Sequence, residues 1–189
     1  TIEDGDDVLF EADTPNLATV SAGTVTAPLD LLDLELDPAG GNVTTGSAGD
    51  RVAAGPGTGS TEQDDTISTQ GGNDQIWAQD VSDFDGDDDI DGGAGSSDEL
   101  LFNGNVDKDL VTPGIQNTQV VDGMFANTTN VEILTFRGPE GDNIDLGQLA
   151  QTAADPAVTG IRQVNSGDGN DTVNASDYDE TVGGIEING

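Results

Sequence analysis

Residues 166–176 read "SGDGNDTVNAS". Gly167 and Gly169 bracket Asp168, an Asn–Asp pair follows, and Val173 comes two residues after Asp171. Nine residues on, the phrase returns as "DYDETVGG", with Glu180 and Val182 in the places of Asp171 and Val173. A glycine-rich turn, an acid, and an aliphatic two positions later make a unit that bends and then runs as a short strand. Recurrence at a fixed interval marks a stack of such units.

The same mark runs through the middle of the chain. Asp65 precedes Ile67 in "QDDTIS" and Asp74 precedes Ile76 in "GGNDQIW", nine residues apart. Asp88 precedes Ile90, and Asp98 precedes Leu100 ten residues later, with Ser97 as the inserted residue. Fainter copies are "EDGDDVLF" at the start and "AGDRVA" around Asp50. Val164 stands nine residues before Val173, but Arg162 holds the place of its acid. Residues 101–160 lose the glycine code and carry short apolar runs instead, "LLF", "QVV", "VEILTF" and "NIDLGQL", bounded by Gly, Asn, Asp or Pro. Runs of that length and composition are strands. "LDLELD" (Leu32 to Asp37) alternates strictly, leucines on one face and acids on a solvated one; "DLGQLAQTAAD" (145–155) has room for a helical turn or two. The expectation is an almost wholly β chain.

Charge narrows the partners. The 189 residues hold 38 acidic and 4 basic side chains (Arg51, Lys108, Arg137, Arg162), a net charge of -34. Such a chain repels itself unless cations neutralise it. Nucleic acid and anionic membrane, which need basic patches, are excluded as partners. Aromatics are only 4%, so the expectation is a chain loose without its ligand and ordered with it. Cysteine and histidine are absent, which rules out disulfides, thiolate zinc sites and histidine-based nucleophile pairs within this sequence. No apolar run approaches the ~18 residues of a membrane span. An opening at Thr1 with neither Met nor signal sequence reads as a processed product or a fragment.

With these motifs in view, the sequence resembles the RTX calcium-binding repeats, whose pattern is G-G-x-G-x-D-x-U-x with U aliphatic. "SGDGNDTVN", "TQGGNDQIW" and "FDGDDDID" are its best matches, and "GGAGSSDEL" is one residue too long. The resemblance implies an all-β fold, a right-handed parallel β-roll or β-helix (a solenoid) with irregular coils. Calcium takes six to eight oxygens at roughly 2.3–2.6 Å, from carboxylates and carbonyls alike. Stacked turns about 4.8 Å apart would bring both into rows. The ligand candidates are Asp65, Gly72, Asp74, Asp85, Gly86, Asp87, Asp88, Gly95, Asp98, Gly167, Gly169, Asp171 and Glu180. Gly95 and Gly169 are expected at positive φ. The partner turn for each ligand is expected nine or eighteen residues away. The aliphatics Ile67, Ile76, Ile90 and Leu100, and Val164, Val173 and Val182, are expected to form inward ladders. Gln70 stands where the pattern has Gly, and Glu180 where it has Asp. A few calcium ions are therefore expected, not an unbroken row.

"DFDGDDDID" (83–91) also resembles an EF-hand loop through Asp83, Asp85 and Asp87, but Asp88 and Ala94 fill the positions that need Gly and Glu. Trp77, next to Ile76, is expected to point away from the core and pack under a flanking loop. Four divisions follow: a β-rich segment 1–45 that continues or caps the solenoid, a calcium-binding block 46–100, irregular coils 101–160, and a second calcium-binding block 161–189. The reading of function is not an enzyme but an extracellular or cell-surface, secreted bacterial module. It folds on calcium and self-associates head-to-tail through its ends as a surface-layer, adhesin or filament subunit, with a cell-surface glycan as a further partner. The alternatives are the calcium-binding tail of a secreted enzyme or toxin, and an ice- or glycan-binding face, for which Thr66, Thr172 and Thr181 each follow the acid but are too few to make a rank.

Overall fold

The structure is a computed structural model that describes residues 19–21, 30–34, 41–54, 64–78, 84, 86–102, 119–137, 141–148, 150, 160–178 and 184–189. Strands dominate: β1 Thr19–Ser21, β2 Asp30–Leu34, β3 Asn42–Thr44, β4 Arg51–Ala54, β5 Thr66–Ser68, β6 Gln75–Ala78, β7 Asp89–Asp91 and β8 Glu99–Phe102 come first. β9 Gln119–Val121, β10 Thr128–Thr129, β11 Ile133–Phe136, β12 Asn143–Asp145, β13 Gln163–Asn165, β14 Thr172–Asn174 and β15 Glu186–Asn188 complete them. A single-turn 3₁₀ helix spans Asp122–Phe125, and Gln148 and Ala150 are helical, in the stretch where the sequence left room for a turn. No described helix is long and apolar enough to cross a membrane.

The fold is all-β, and every pairing between these strands is parallel. Three sheets result, ordered β1-β3-β5-β7-β10, β15-β13-β11-β8-β6-β4-β2 and β14-β12-β9. Through β8, consecutive strands alternate between the five- and the seven-stranded sheet, so each lap of chain lays one strand on each. The next lap lays β9 on the three-stranded, β10 on the five-stranded and β11 on the seven-stranded sheet, and from β11 on the strands alternate between the seven- and the three-stranded one. Parallel neighbours cannot be joined by a hairpin, and the long return leg of each lap is the connection they require.

This topology revises the expected stacking. The nine-residue step from Thr66 to Gln75 crosses from one sheet to another. It does not set one repeat on top of the next. Stacked residues lie a whole lap apart: Asp50 over Asp74 and Asp74 over Asp98, each 24 residues. The aliphatics consequently divide between sheets. Ile67 and Ile90 pair in the five-stranded sheet with Val43, while Ile76, Leu100 and Val164 belong to the seven-stranded one with Val52 and Leu134. Val173 stacks on Ile144 in the three-stranded sheet, and Val182 lies outside the described residues.

Their inward direction is as expected. The middle residue of β3, β5, β7, β9, β12 and β13 is buried because alternate side chains face opposite sides of a strand, whereas Val173 of β14 is half-buried and Ile187 of β15 exposed. Val43, Val52, Ile67, Ile76, Ile90, Leu100, Val120, Leu134, Ile144 and Val164 all join one continuous core. Phe84, Phe102, Phe125 and Phe136 fill its broad part, with Phe102 stacked on Phe136 at 5.4 Å between ring centres and edge-on to Phe84 at 5.6 Å. Trp77 faces the other way, as its parity requires, and is buried with Leu101 in a second small cluster. The guanidinium groups of Arg51 and Arg137 lie over its ring, at 5.0 and 5.4 Å from the centroid.

At the turns, backbone meets backbone. Gln70 sits at φ 61, the left-handed region that glycine occupies in the repeat pattern. An L-residue there costs about 1–2 kcal/mol, of which a glycine would return part to unfolded-chain entropy. Gln70→Gly should therefore raise stability by about 0.5–1 kcal/mol in urea unfolding. Asn130, at φ 55, is the control: its amide donates to Asp91 Oδ1 at 2.7 Å, so Asn130→Gly should bring no gain.

Candidate metal site

Each acid that stands two residues before an inward aliphatic occupies the last position before a strand. There the chain turns from the glycine-rich bend into the sheet, and the acid's side chain lies along the stacking direction. Three columns result. In the longest, the N–H of Asp50 donates to Asp74 Oδ1 at 2.6 Å, that of Asp74 to Asp98 Oδ1 at 2.8 Å, and that of Asp98 to Glu132 Oε2 at 2.9 Å. In the second, Gly41 N–H donates to Asp65 Oδ1 at 2.8 Å and Asp65 N–H to Asp88 Oδ1 at 2.9 Å. In the third, Asp142 N–H donates to Asp171 Oδ1 at 3.0 Å. The rule is uniform: a carboxylate receives the N–H of the residue one lap earlier.

Asp50, Asp74, Asp98 and Glu132 are all buried, none more than 2% exposed. One oxygen of Asp74, of Asp98 and of Glu132 is used by the column, and Asp50 Oδ2 accepts the N–H of Gly46 at 3.2 Å. The other oxygen of Asp74 and of Asp98, Oδ2 in each, is buried and accepts no hydrogen bond. The Thr69 hydroxyl beside Asp74 donates to the Gly92 carbonyl at 2.9 Å. Burial pushes Asp98 up to about 7 against the opposing Asp74 N–H, and the charges of Glu132, Asp74 and Asp91 add to the rise. Burial likewise pushes Asp74 up to about 6 against the opposing Asp50 N–H, and the Asp50 charge adds to the rise. Two buried carboxylates one lap apart, each with a bare oxygen, are a standing electrostatic cost.

Backbone oxygen faces the same place. A Cβ on Gly95 would collide with both carboxylate oxygens of Asp98 and with the Gly72 carbonyl. Gly95 is therefore required for space. Its backbone is not left-handed, contrary to the expectation, whereas Gly72, Gly93, Gly167 and Gly169 do take positive φ, at 125, 81, 80 and 142°.

Of the candidate ligands, Asp74, Asp98, Gly72 and Gly95 come together at this one place. Asp65 and Asp88 share the second column, and Asp171 stands in the third behind the Gly167–Gly169 turn. Gly86 packs on the Gly123 carbonyl, and Asp87 is exposed beside it. Asp85 and Glu180 lie outside the described residues, as does Asp83 of the EF-hand alternative. Thr66 and Thr172 stand in different sheets, and Thr181 is outside the described residues. The row through Thr66 reads Thr19, Asn42, Thr66, Asp89, a mixed row and not a rank of threonines.

Sequence reasoning passed over Asp50, Glu132 and Asp142 as ligands. The signal was present, since each precedes an inward aliphatic by two residues (Val52, Leu134, Ile144), but the glycine code is weak or missing around them. Among the described residues no three acidic, His or Cys side chains converge on one point. The donor set at Asp74–Asp98 is thus two carboxylates with backbone carbonyl, all oxygen, which suits a hard cation and not a thiophilic one. Compared with protein-family models, with curated proteins and with solved structures, the chain matches none.

Proposed function

We propose that the chain is an extracellular, calcium-dependent structural module: a right-handed parallel β-solenoid related to the RTX repeats, ordered by calcium and joined head-to-tail to its own kind. The observation that carries this reading is the pair of buried, unpartnered oxygens on Asp74 and Asp98. Bound there, calcium would supply the positive charge and oxygen coordination that the two acids lack. Asp74 and Asp98 would hold it with their Oδ2 atoms, Gly72 would lend its carbonyl, and Gly95 keeps the space open. The Asp50 and Asp74 N–H groups fix both carboxylates in place through their other oxygens. With only two charged ligands the expected affinity is in the range of extracellular modules, about 10⁻⁴–10⁻³ M, which fits a chain that stays loose where calcium is scarce. At calcium concentrations 100 times Kd, one site adds ~2.7 kcal/mol to stability.

Self-association rests on the edge of the seven-stranded sheet. Ile187 continues the aliphatic column from Val164 yet is 50% exposed, and β15, which among the described residues pairs with β13 alone, runs parallel to every strand behind it. A second copy adding its own parallel edge there would continue the sheet without a change of direction, a heterologous contact that propagates.

The test is far-ultraviolet circular dichroism and light scattering on one sample, with calcium and with magnesium. Calcium alone should raise the β signal, and particles should then grow. Ordering without growth would favour the calcium-binding tail of a secreted enzyme or toxin. No change in either would remove the calcium reading.

A further inference from the structure

Arg162 occupies the fifth place of the long acid column. The register of β11 with β13 sets it beside Glu132, and its N–H donates to the Glu132 carbonyl at 2.8 Å. In the same way the N–H of Glu132, one place earlier in the column, bonds the Asp98 carbonyl at 3.0 Å. Where the series Asp50, Asp74, Asp98, Glu132 would continue with another acid, the chain places a cation. Its side chain folds back past the Glu132 lap: Nη2 donates to the Ser96 carbonyl at 3.1 Å, 66 residues earlier in sequence. Ser96 belongs to the turn that delivers Asp98. The only basic residue in the column therefore reaches the turn of the acid pushed up furthest, and it takes a backbone carbonyl, the kind of oxygen that Gly72 offers to Asp98 from the preceding lap.

We infer that Arg162 is a built-in counter-ion that closes this end of the acid column, so that a divalent cation is held between Asp74 and Asp98 and not beyond. The inference rests on the calcium reading of that pair. A guanidinium keeps its charge at every relevant pH and has several donors in a rigid fork. It can hold the Ser96 carbonyl and lower the local negative potential without filling a coordination shell. Removing it frees that carbonyl and leaves the Glu132 end of the column one positive charge poorer, which is a second place for a hard cation.

The test is equilibrium dialysis and titration calorimetry on the full chain with calcium chloride, comparing the parent with Arg162→Gln and Arg162→Lys. Arg162→Gln is expected to bind one calcium ion more per chain than the parent, and Arg162→Lys, which keeps the charge, the same number as the parent. Equal numbers for the parent and Arg162→Gln, with calcium bound by both, would overturn the inference alone. A parent that binds none overturns the calcium reading itself. Should Arg162→Gln lose its β signal in chelator, its restoration by excess calcium supports the counter-ion role. Failure to recover at saturating calcium, where Arg162→Lys is ordered, overturns that role in favour of a merely structural contact.

Discussion

Asp98→Asn should make the metal-free protein more stable, by about 2 kcal/mol at pH 8, while weakening its response to calcium more than tenfold. The residue is 1% exposed, and burial pushes its carboxyl up to about 7, so at pH 8 the folded chain carries a charge that the interior disfavours. An asparagine keeps the column: its carbonyl oxygen accepts the Asp74 N–H as Oδ1 now does at 2.8 Å. Its amide nitrogen takes the place of the unpartnered Oδ2, with the Gly72 carbonyl facing that space as an acceptor. What is lost is the negative charge, and with it the attraction for a cation. Asp98→Ala separates charge from hydrogen bonding. It removes the charge as well, but leaves the buried Asp74 N–H without an acceptor, a loss of about 1–3 kcal/mol, so it should be less stable than Asp98→Asn in chelator. Urea unfolding of the three proteins, with and without calcium, checks both statements. A metal-free Asp98→Asn weaker than the parent would show that Asp98 is not under the strain its burial implies.

What the sequence disclosed was the local unit, and what it withheld was the length of the lap. An acid two residues before an aliphatic correctly marked the entry to a strand and the side chain that turns inward, at Ile67, Ile76, Ile90 and Leu100, and at the half-buried Val173. The nine-residue interval was real, but it measures the passage between two sheets, as from Thr66 to Gln75. The return leg between Arg51 and Thr66 repeats no acid-and-aliphatic code, so nothing in it announces that Asp50, Asp74 and Asp98 stand in one column. The glycine code misled in the other direction. It drew attention to the turns and away from Glu132, whose carboxylate accepts the Asp98 N–H with no glycine neighbour, and from Asp142, whose N–H donates to Asp171. Gln70 takes the left-handed backbone in a glycine's place, and Gly95 is needed for room and not for its φ. Both are decided by contact with the neighbouring lap, which a single repeat does not contain. Arg162 was legible as an anomaly, a base in an acid's place. Only the register with Glu132 and the reach to Ser96 give that anomaly a role.

Acidification should stabilise the metal-free protein, the reverse of the usual loss on titrating acids. The sign follows from the direction of the shifts. A carboxyl whose folded-state pKa lies above its unfolded value binds a proton more tightly when folded, so folding is favoured as the pH falls and disfavoured as it rises. For Asp74 and Asp98 the unfolded value is 3.8, and burial in the folded chain pushes them up to about 6 and about 7. Below about pH 4 both are protonated in either state and the pair is neutral to stability. Between pH 4 and 7 the penalty grows as the folded chain is forced to give up protons, and above pH 7 it is complete, on the order of 4 kcal/mol for the coupled pair. Calcium should act against this slope, because it competes with the same protons for the same oxygens: its stabilising effect should be greatest at pH 8 and vanish toward pH 5. Melting curves at pH 5, 6, 7 and 8, in chelator and in millimolar calcium, should therefore diverge as the pH rises. Asp98→Asn should flatten the chelator curve by removing the group that titrates highest. A chelator curve already flat in the parent would mean that the buried column carries no such penalty. The case for a cation between Asp74 and Asp98 would then lose its physical ground.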